Sequence, residues 1–205
     1  MNSISIKNKN IFPSKVVCIG RNYSEHIKEL NNPNPEEMVF FIKPNSSVSN
    51  EIVFPKKHKS CHYEAELSFL IEEGNISAVG FGLDLTLREV QTKLKNSKLP
   101  WERAKAFDKS AVFSEFVDIK HNDIASLKLQ LFINNELRQE GGVVDMINKP
   151  EEIIEEANTF LSFEDGDILM TGTPKGVGEF NIGDKFSGKI FLEDKEILSC
   201  EFNVK

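Results

Sequence analysis

The chain has 205 residues, 40% of them hydrophobic and 28% charged, and its 32 acidic against 25 basic side chains give a net charge of −7. That balance excludes a protein built to grip nucleic-acid phosphates, and no apolar run approaches the ~20 residues of a membrane-spanning helix. The length suits one domain spanning 1–205, with a core large enough to need no disulfide or zinc staple.

The first five residues, Met1-Asn2-Ser3-Ile4-Ser5, lack the basic-then-apolar pattern of a signal peptide. Cys18, Cys61 and Cys200 are widely spaced and form no CxxC, which predicts reduced thiols in a cytoplasmic protein. The 16 Phe against 2 Tyr and 1 Trp fit a packed core better than a base-stacking surface.

In chain order, 15–19 (KVVCI) reads as a short strand, 22–30 as a short amphipathic helix and 39–42 (VFFI) as a second strand. A loop is predicted over 44–60. Residues 63–71 then alternate, with Tyr63, Ala65, Leu67, Phe69 and Ile71 on one face and Glu64, Glu66 and Ser68 on the other. The apolar stretch 79–83 ends in Asp84, at a strand-to-helix corner. Thr86-Leu87-Arg88-Glu89 has the form of a capping box; Leu87, Val90 and Leu94 share a helix face, and Pro100 ends the segment. A long loop is predicted over 101–123.

Residues 127–133 alternate again, and Asn134-Asn135 supplies turn chemistry for a hairpin. Pro150 suits a first helical position, with Glu151 and Glu152 at the positive end of the helix dipole. The strand-like 167–170 leads into the glycine-containing 171–178. Finally, 185–192 and 196–204 flank the polar turn Glu193-Asp194-Lys195 and predict a second hairpin. The sum is an α+β, β-rich fold with helices on its edges.

Glu64 and Glu66 are the most informative residues. At i and i+2 of a strand their side chains point the same way, with Cα atoms ~6.5 Å apart. Paired carboxylates repel each other, and a hard divalent cation between them removes that penalty. The alternative is a solvated strand edge. Asp84 offers a third carboxylate, or simply favours the helix start; only the fold can bring it beside the other two. An all-oxygen set suits Mg²⁺ or Mn²⁺ rather than zinc. His26 and Glu29, spaced i, i+3, are neighbours on a helix: Glu29 can orient His26 as a general base, or both can be solvated face. Lys105, among Ala104, Ala106 and Phe107, can hold a substrate oxygen or sit on the surface. Gln91, one turn along the capped helix, can donate to a substrate. In 171–178 the glycines let backbone N–H groups approach a carboxylate, with Thr173 adding a hydroxyl. Arg21 is a candidate carboxylate partner.

Five segments in register resemble the fumarylacetoacetate hydrolase superfamily. His62-Tyr63-Glu64-Ala65-Glu66-Leu67 resembles its metal-binding ExE. Gly82-Leu83-Asp84-Leu85-Thr86 through Val90-Gln91 is similar to its aspartate motif. Leu99-Pro100-Trp101 through Ala104-Lys105-Ala106-Phe107 is similar to the lysine segment of its acylpyruvase branch. Thr171-Gly172-Thr173-Pro174-Lys175-Gly176-Val177-Gly178 resembles its substrate loop, and Gly20-Arg21-Asn22-Tyr23 through His26 and Glu29 resembles its lid.

The resemblance implies a mixed β-roll with peripheral helices, a homodimer, and Mg²⁺ or Mn²⁺ on Glu64, Glu66 and Asp84. It implies His26, Glu29 and Lys105 as catalytic residues and Arg21, Gln91, Gly172 and Thr173 as substrate contacts. The implied substrate is a small 2-oxo acid. Hydrolysis of a C–C bond in an acylpyruvate stands first; oxaloacetate decarboxylation, tautomerisation or isomerisation on the same metal is the alternative, and a metal-binding scaffold without turnover the non-enzyme alternative. One departure is the absence of proline from Asp108-Lys109-Ser110-Ala111-Val112-Phe113, where the branch carries a proline turn.

Overall fold

The computed structural model describes residues 1–29 and 36–205. It opens on a hairpin that alternation does not flag: β1 (Ile4–Ile6) and β2 (Lys9–Ile11) turn through Lys7 and Asn8, at φ +47° and +62°. β3 (Lys15–Gly20) and β4 (Val39–Pro44) are the two short apolar runs, paired antiparallel. Between them α1 (Ser24–Glu29) starts two residues later than the expected 22–30, and the expected end at Leu30 lies outside the described residues. The predicted loop 44–60 holds only the short β5 (Val48–Ser49) and one 3₁₀ turn.

The alternating segment becomes β6 (His62–Tyr63) and β7 (Ala65–Glu72), broken at Glu64. β8 (Asn75–Asp84) returns through Glu73-Gly74, at φ +51° and +73°. α2 (Arg88–Asn96) begins without a side-chain cap, so the predicted capping box does not form: Thr86 is held instead in a bridge with His62. The helix stops before Pro100, where Lys98 turns the chain at φ +53°. The predicted loop 101–123 contains α3 (Glu102–Lys105) and the eight-residue strand β9 (Ala111–Asp118). β9 lacks alternation because its first four residues are buried on both faces.

β10 (Leu127–Ile133) and β11 (Glu136–Gly142) form the expected hairpin, with Asn134 and Asn135 at φ +52° and +67°. α4 (Pro150–Ala157) starts at the predicted proline, and Glu152 accepts from the Lys149 N–H at 2.6 Å. β12 (Ile168–Met170), β13 (Gly178–Glu179), β14 (Lys185–Leu192) and β15 (Lys195–Asn203) complete the chain. The last turn is Glu193-Asp194, so Lys195 belongs to the strand.

A nine-stranded mixed sheet runs β2-β1-β9-β8-β7-β12-β3-β4, with β5 added on β9; β11-β10-β14-β15 form a second sheet and β13-β6 a small third. The pairs β1–β9, β12–β3 and β5–β9 are parallel, the rest antiparallel. This is the β-rich fold that the resemblance implies. One apolar cluster, including Leu67, Phe69, Phe81, Leu129 and Ile190, lies between the two larger sheets. A second, including Val16, Cys18, Leu70, Phe113 and Met170, fills the opposite face of the nine-stranded sheet. Burial on both faces rules out the solvated-edge reading of Glu64 and Glu66, which are 5% and 2% exposed. The three cysteines are free thiols. No helix among the described residues is long and apolar enough to cross a membrane.

Candidate active site

Register brings the acids together. β7 and β8 pair with Glu66 opposite Gly82 and Ala65 opposite Leu83, and the Asp84 N–H donates to the Glu64 carbonyl at 2.8 Å. Glu64 and Asp84 are therefore cross-strand partners, and Glu66 lies two residues along on the same face. Carboxylate oxygens of all three come within 4.8 Å of one another. This arrangement depends on a bulge. Leu70 opposes Ala78 but Ile71 opposes Ile76, so Ser77 is an extra residue in β8.

Beyond Leu67, β7 loses β12 as its neighbour, and the loop 171–178 takes that place. Thr171 Oγ1 donates to the Leu67 carbonyl at 2.8 Å, and the Gly172 N–H donates to Glu66 Oε2 at 2.8 Å. Gly172 sits at φ +87°, with no room for a Cβ against Asn22. Thr173 Oγ1 accepts from Gln139 Nε2 at 2.7 Å, while Gln139 Oε1 accepts the Ala65 N–H at 2.9 Å. Thr173 is thus anchored to the strand that carries the acids.

Cations surround the carboxylates. Lys105 Nζ donates to Glu64 Oε2 at 2.8 Å, to Asp84 Oδ2 at 2.5 Å and to Thr86 Oγ1 at 2.7 Å. Lys43, fully buried on β4, lies 2.8 Å from Asp84 Oδ1 and donates to the Lys105 carbonyl and to Ser110 Oγ. Arg88 pairs with Glu64 Oε1 and donates to Gln91 Oε1 at 2.7 Å. Gln91 is thereby turned to a neighbouring guanidinium.

The electrostatics follow from burial and these partners. Burial by itself raises the Glu64 carboxyl, but Lys105 and Arg88 outweigh it and hold it below the ordinary range. Glu66 has no such pairing: burial, then the charges of Asp84 and Glu64, push it well up. Burial works against the Lys105 ammonium, but Asp84 and Glu64 overcome it and raise its pKa. Among the described residues Glu66 is thus the one of the three acids without an ion pair. A divalent ion fits the donor set: three hard oxygens, all buried, one of them underneutralised.

His26 Nδ1 lies 3.0 Å from Glu29 Oε2, and Glu29 Oε1 accepts the Gly176 N–H at 2.9 Å. Glu29 thus ties α1 to the loop 171–178. With Nδ1 so engaged, Nε2 is the His26 atom left for the cleft that the residue lines. Arg21 lies at the same opening, at φ +60°. Glu64, Glu66, Asp84, His26, Lys105, Arg21, Gln91, Gly172 and Thr173 all line one narrow cleft; Glu29 stands behind it.

Sequence reading missed Lys43, Arg88 and Gln139. Lys43 had one usable signal, a charge inside an apolar strand (VFFIKP). Arg88 shares a helix face with Gln91, three residues on. Gln139 carried no signal, because its importance comes wholly from a distant strand.

A family model described as fumarylacetoacetate (FAA) hydrolase C-terminal matches residues 15–204. An oxaloacetate tautomerase of Escherichia coli (strain K12) is 41% identical over 190 residues, covering 85% of this chain and 87% of that one. A crystal structure from Oleispira antarctica superposes with a TM-score of 0.92 at 36% identity over 100% of both chains. A fumarylpyruvate hydrolase of Pseudomonas aeruginosa, solved in complex with Mn²⁺ and pyruvate, gives 0.89 at 27% identity over 99% of this chain and 95% of that one.

Proposed function

This chain belongs to the fumarylacetoacetate hydrolase family, and on that premise we propose that it is a divalent-metal-dependent oxaloacetate tautomerase, interconverting the keto and enol forms. The order of the two enzyme readings from sequence is thereby reversed, since the relative at 41% identity is an oxaloacetate tautomerase. The observation that carries the proposal is the convergence of Glu64, Glu66 and Asp84 within 4.8 Å in the cleft that His26 also lines.

Glu64, Glu66 and Asp84 would hold Mg²⁺ or Mn²⁺. When bound, the ion supplies Lewis acidity toward the keto and carboxylate oxygens of a 2-oxo acid. The remaining steps belong to side chains. His26 Nε2 takes the proton from C3; the C–H electron pair becomes the C2–C3 double bond, and the carbonyl π pair moves to the C2 oxygen. That oxygen takes up the proton that His26 now carries, which gives the enol and returns the imidazole to its neutral form; the reverse path restores the ketone. Glu29 fixes the His26 tautomer and stabilises the imidazolium. Lys105 presents its ammonium to the oxygen on which charge collects. It is held in place between Glu64 and Asp84.

The test follows the ultraviolet absorbance of enol-oxaloacetate with Mg²⁺ or Mn²⁺, against a chelator and a metal-only control. Metal-dependent acceleration above the metal-only rate is expected; its absence refutes the proposal. The neighbour solved with Mn²⁺ and pyruvate favours a second reading, acylpyruvate hydrolysis. Faster turnover of acetylpyruvate or fumarylpyruvate than of oxaloacetate would establish that reading instead.

A further inference from the structure

Gln139 is 1% exposed, yet it belongs neither to the acid cluster nor to the cleft wall. A bulge brings it to the site. The Asn134-Asn135 turn sets Phe132 opposite Leu137, but Leu131 opposes Gln139, so Arg138 is an extra residue in β11. In an unbulged hairpin Leu131 would face Arg138, and Gln139 would turn to the other side of the sheet. The loop 171–178 rests on that bulge: a Cβ at Gly176, at φ +98°, would meet the Arg138 carbonyl at 2.0 Å.

A side-chain amide has two orientations, and here two backbone groups fix one of them. The Ala65 N–H only donates, and Gln139 Oε1 accepts it at 2.9 Å. The Pro174 carbonyl only accepts, and Gln139 Nε2 donates to it at 2.8 Å. The second Nε2 proton is then directed at Thr173 Oγ1, 2.7 Å away. With one lone pair so engaged, the Thr173 hydroxyl still has its own proton to place. Among the described residues its one acceptor is the same Pro174 carbonyl, at 3.4 Å. Thr173 also lines the cleft, where a bound oxygen offers a closer acceptor. An O–H that accepts one hydrogen bond donates the next more strongly, most of all to an anionic oxygen.

We propose that Gln139 is a positioning residue. Its amide, locked between Ala65 and Pro174, makes the Thr173 hydroxyl a directed donor to an anionic oxygen of the bound 2-oxo acid. The hydrogen bonds run from the Gln139 amide to the Thr173 hydroxyl to the substrate, and each proton stays on its own heavy atom. The inference rests on the proposed function for the identity of the ligand.

Trp101, the chain's single tryptophan, lines the cleft, so binding is readable without turnover. Mn²⁺-loaded protein is titrated with fresh oxaloacetate while Trp101 fluorescence is followed. Mn²⁺ affinity is measured separately, from the paramagnetic resonance signal of the free ion. Thr173→Val should weaken oxaloacetate binding ~10-fold, the loss of one hydrogen bond to a charged group. Gln139→Glu keeps an acceptor for the Ala65 N–H but offers at most one proton in place of two; Gln139→Met offers none. Each should weaken oxaloacetate binding about 3- to 10-fold. Added to Thr173→Val, either should cost no more than about twofold further, and Mn²⁺ affinity should change by less than about threefold throughout. Losses that add in the double variants, or a fall in Mn²⁺ affinity equal to that for oxaloacetate, make Gln139 a strut for the acid-bearing strand alone and overturn the proposal. Unchanged oxaloacetate affinity in both Gln139 variants also overturns it, and leaves the proposed function standing. Failure of oxaloacetate to bind the unsubstituted protein overturns the proposed function, and the role of Gln139 with it.

Discussion

Glu66 is where the proposed metal-binding role and stability pull in opposite directions. It is 2% exposed and faces two other carboxylates. In the metal-free protein its carboxyl is pushed well above the ordinary value of 4.5, by burial first and then by Asp84 and Glu64. The folded state therefore holds a proton that the unfolded chain gives up, and stability falls as pH rises above 4.5. At pH 7 the penalty is capped at about 3.4 kcal/mol, because beyond that the group stays protonated. Glu66→Gln imitates the protonated form. Its oxygen can still accept the Gly172 N–H, and its NH₂ can donate to the neighbouring acids. Metal-free Glu66→Gln should gain about 1–3 kcal/mol at pH 7, a Tm increase of ~2–7 °C for a chain of this size. It should also lose the destabilisation between pH 5 and 7. Mn²⁺ should raise the Tm of the unsubstituted protein and leave the variant's nearly unchanged. Thermal melts over pH, with Mn²⁺ or with a chelator, measure all of this. A lower Tm for the metal-free variant, or an undiminished Mn²⁺ shift, would refute the reasoning.

Gly82→Ala places a Cβ 2.1 Å from Ser68 Oγ; overpacking should cost about 1–3 kcal/mol or more in urea unfolding, and adding Ser68→Ala should recover most of it. Glu29→Gln keeps an acceptor for Gly176 but removes the charge behind His26; kcat on oxaloacetate should fall by up to ~100-fold with KM little changed, and an unaltered kcat would remove Glu29 from the mechanism. Burial alone would raise the Asp167 carboxyl, but Lys15, the Glu164 and Lys15 N–H groups and Ser14 hold it low. Its contribution is therefore full above 3.8 and lost as pH falls through the lower folded value. Asp167→Asn should lower stability by about 2–4 kcal/mol at pH 7, with the gap to the unsubstituted protein closing in acid.

Much of the strand content was legible because turn chemistry and alternation are local. Asn134-Asn135 takes the positive φ values that a two-residue hairpin turn needs, and 127–133 matches its strand residue for residue. β9 escaped notice because a strand covered on both faces has no polar alternation to show. Thr86 misled for a related reason: a threonine before a helix is a cap by default, but here its hydroxyl accepts a hydrogen bond from Lys105 and donates one to the Asp84 carbonyl. Lys43 and Arg88 were hidden because a lysine or arginine looks the same in sequence whether it is solvated or paired in a core.

The sequence by itself determined the residue types: an i, i+2 carboxylate pair on a strand, a third acid at a strand's end, and a histidine three residues before a glutamate. Their meeting was decided by tertiary structure. The Glu73-Gly74 turn alone would set Glu64 opposite Leu83 and leave Asp84 on the other face of the sheet; the single extra residue at Ser77 moves the register by one and puts Asp84 opposite Glu64. Side chains in a strand alternate with period two, so a one-residue shift decides which face each acid occupies.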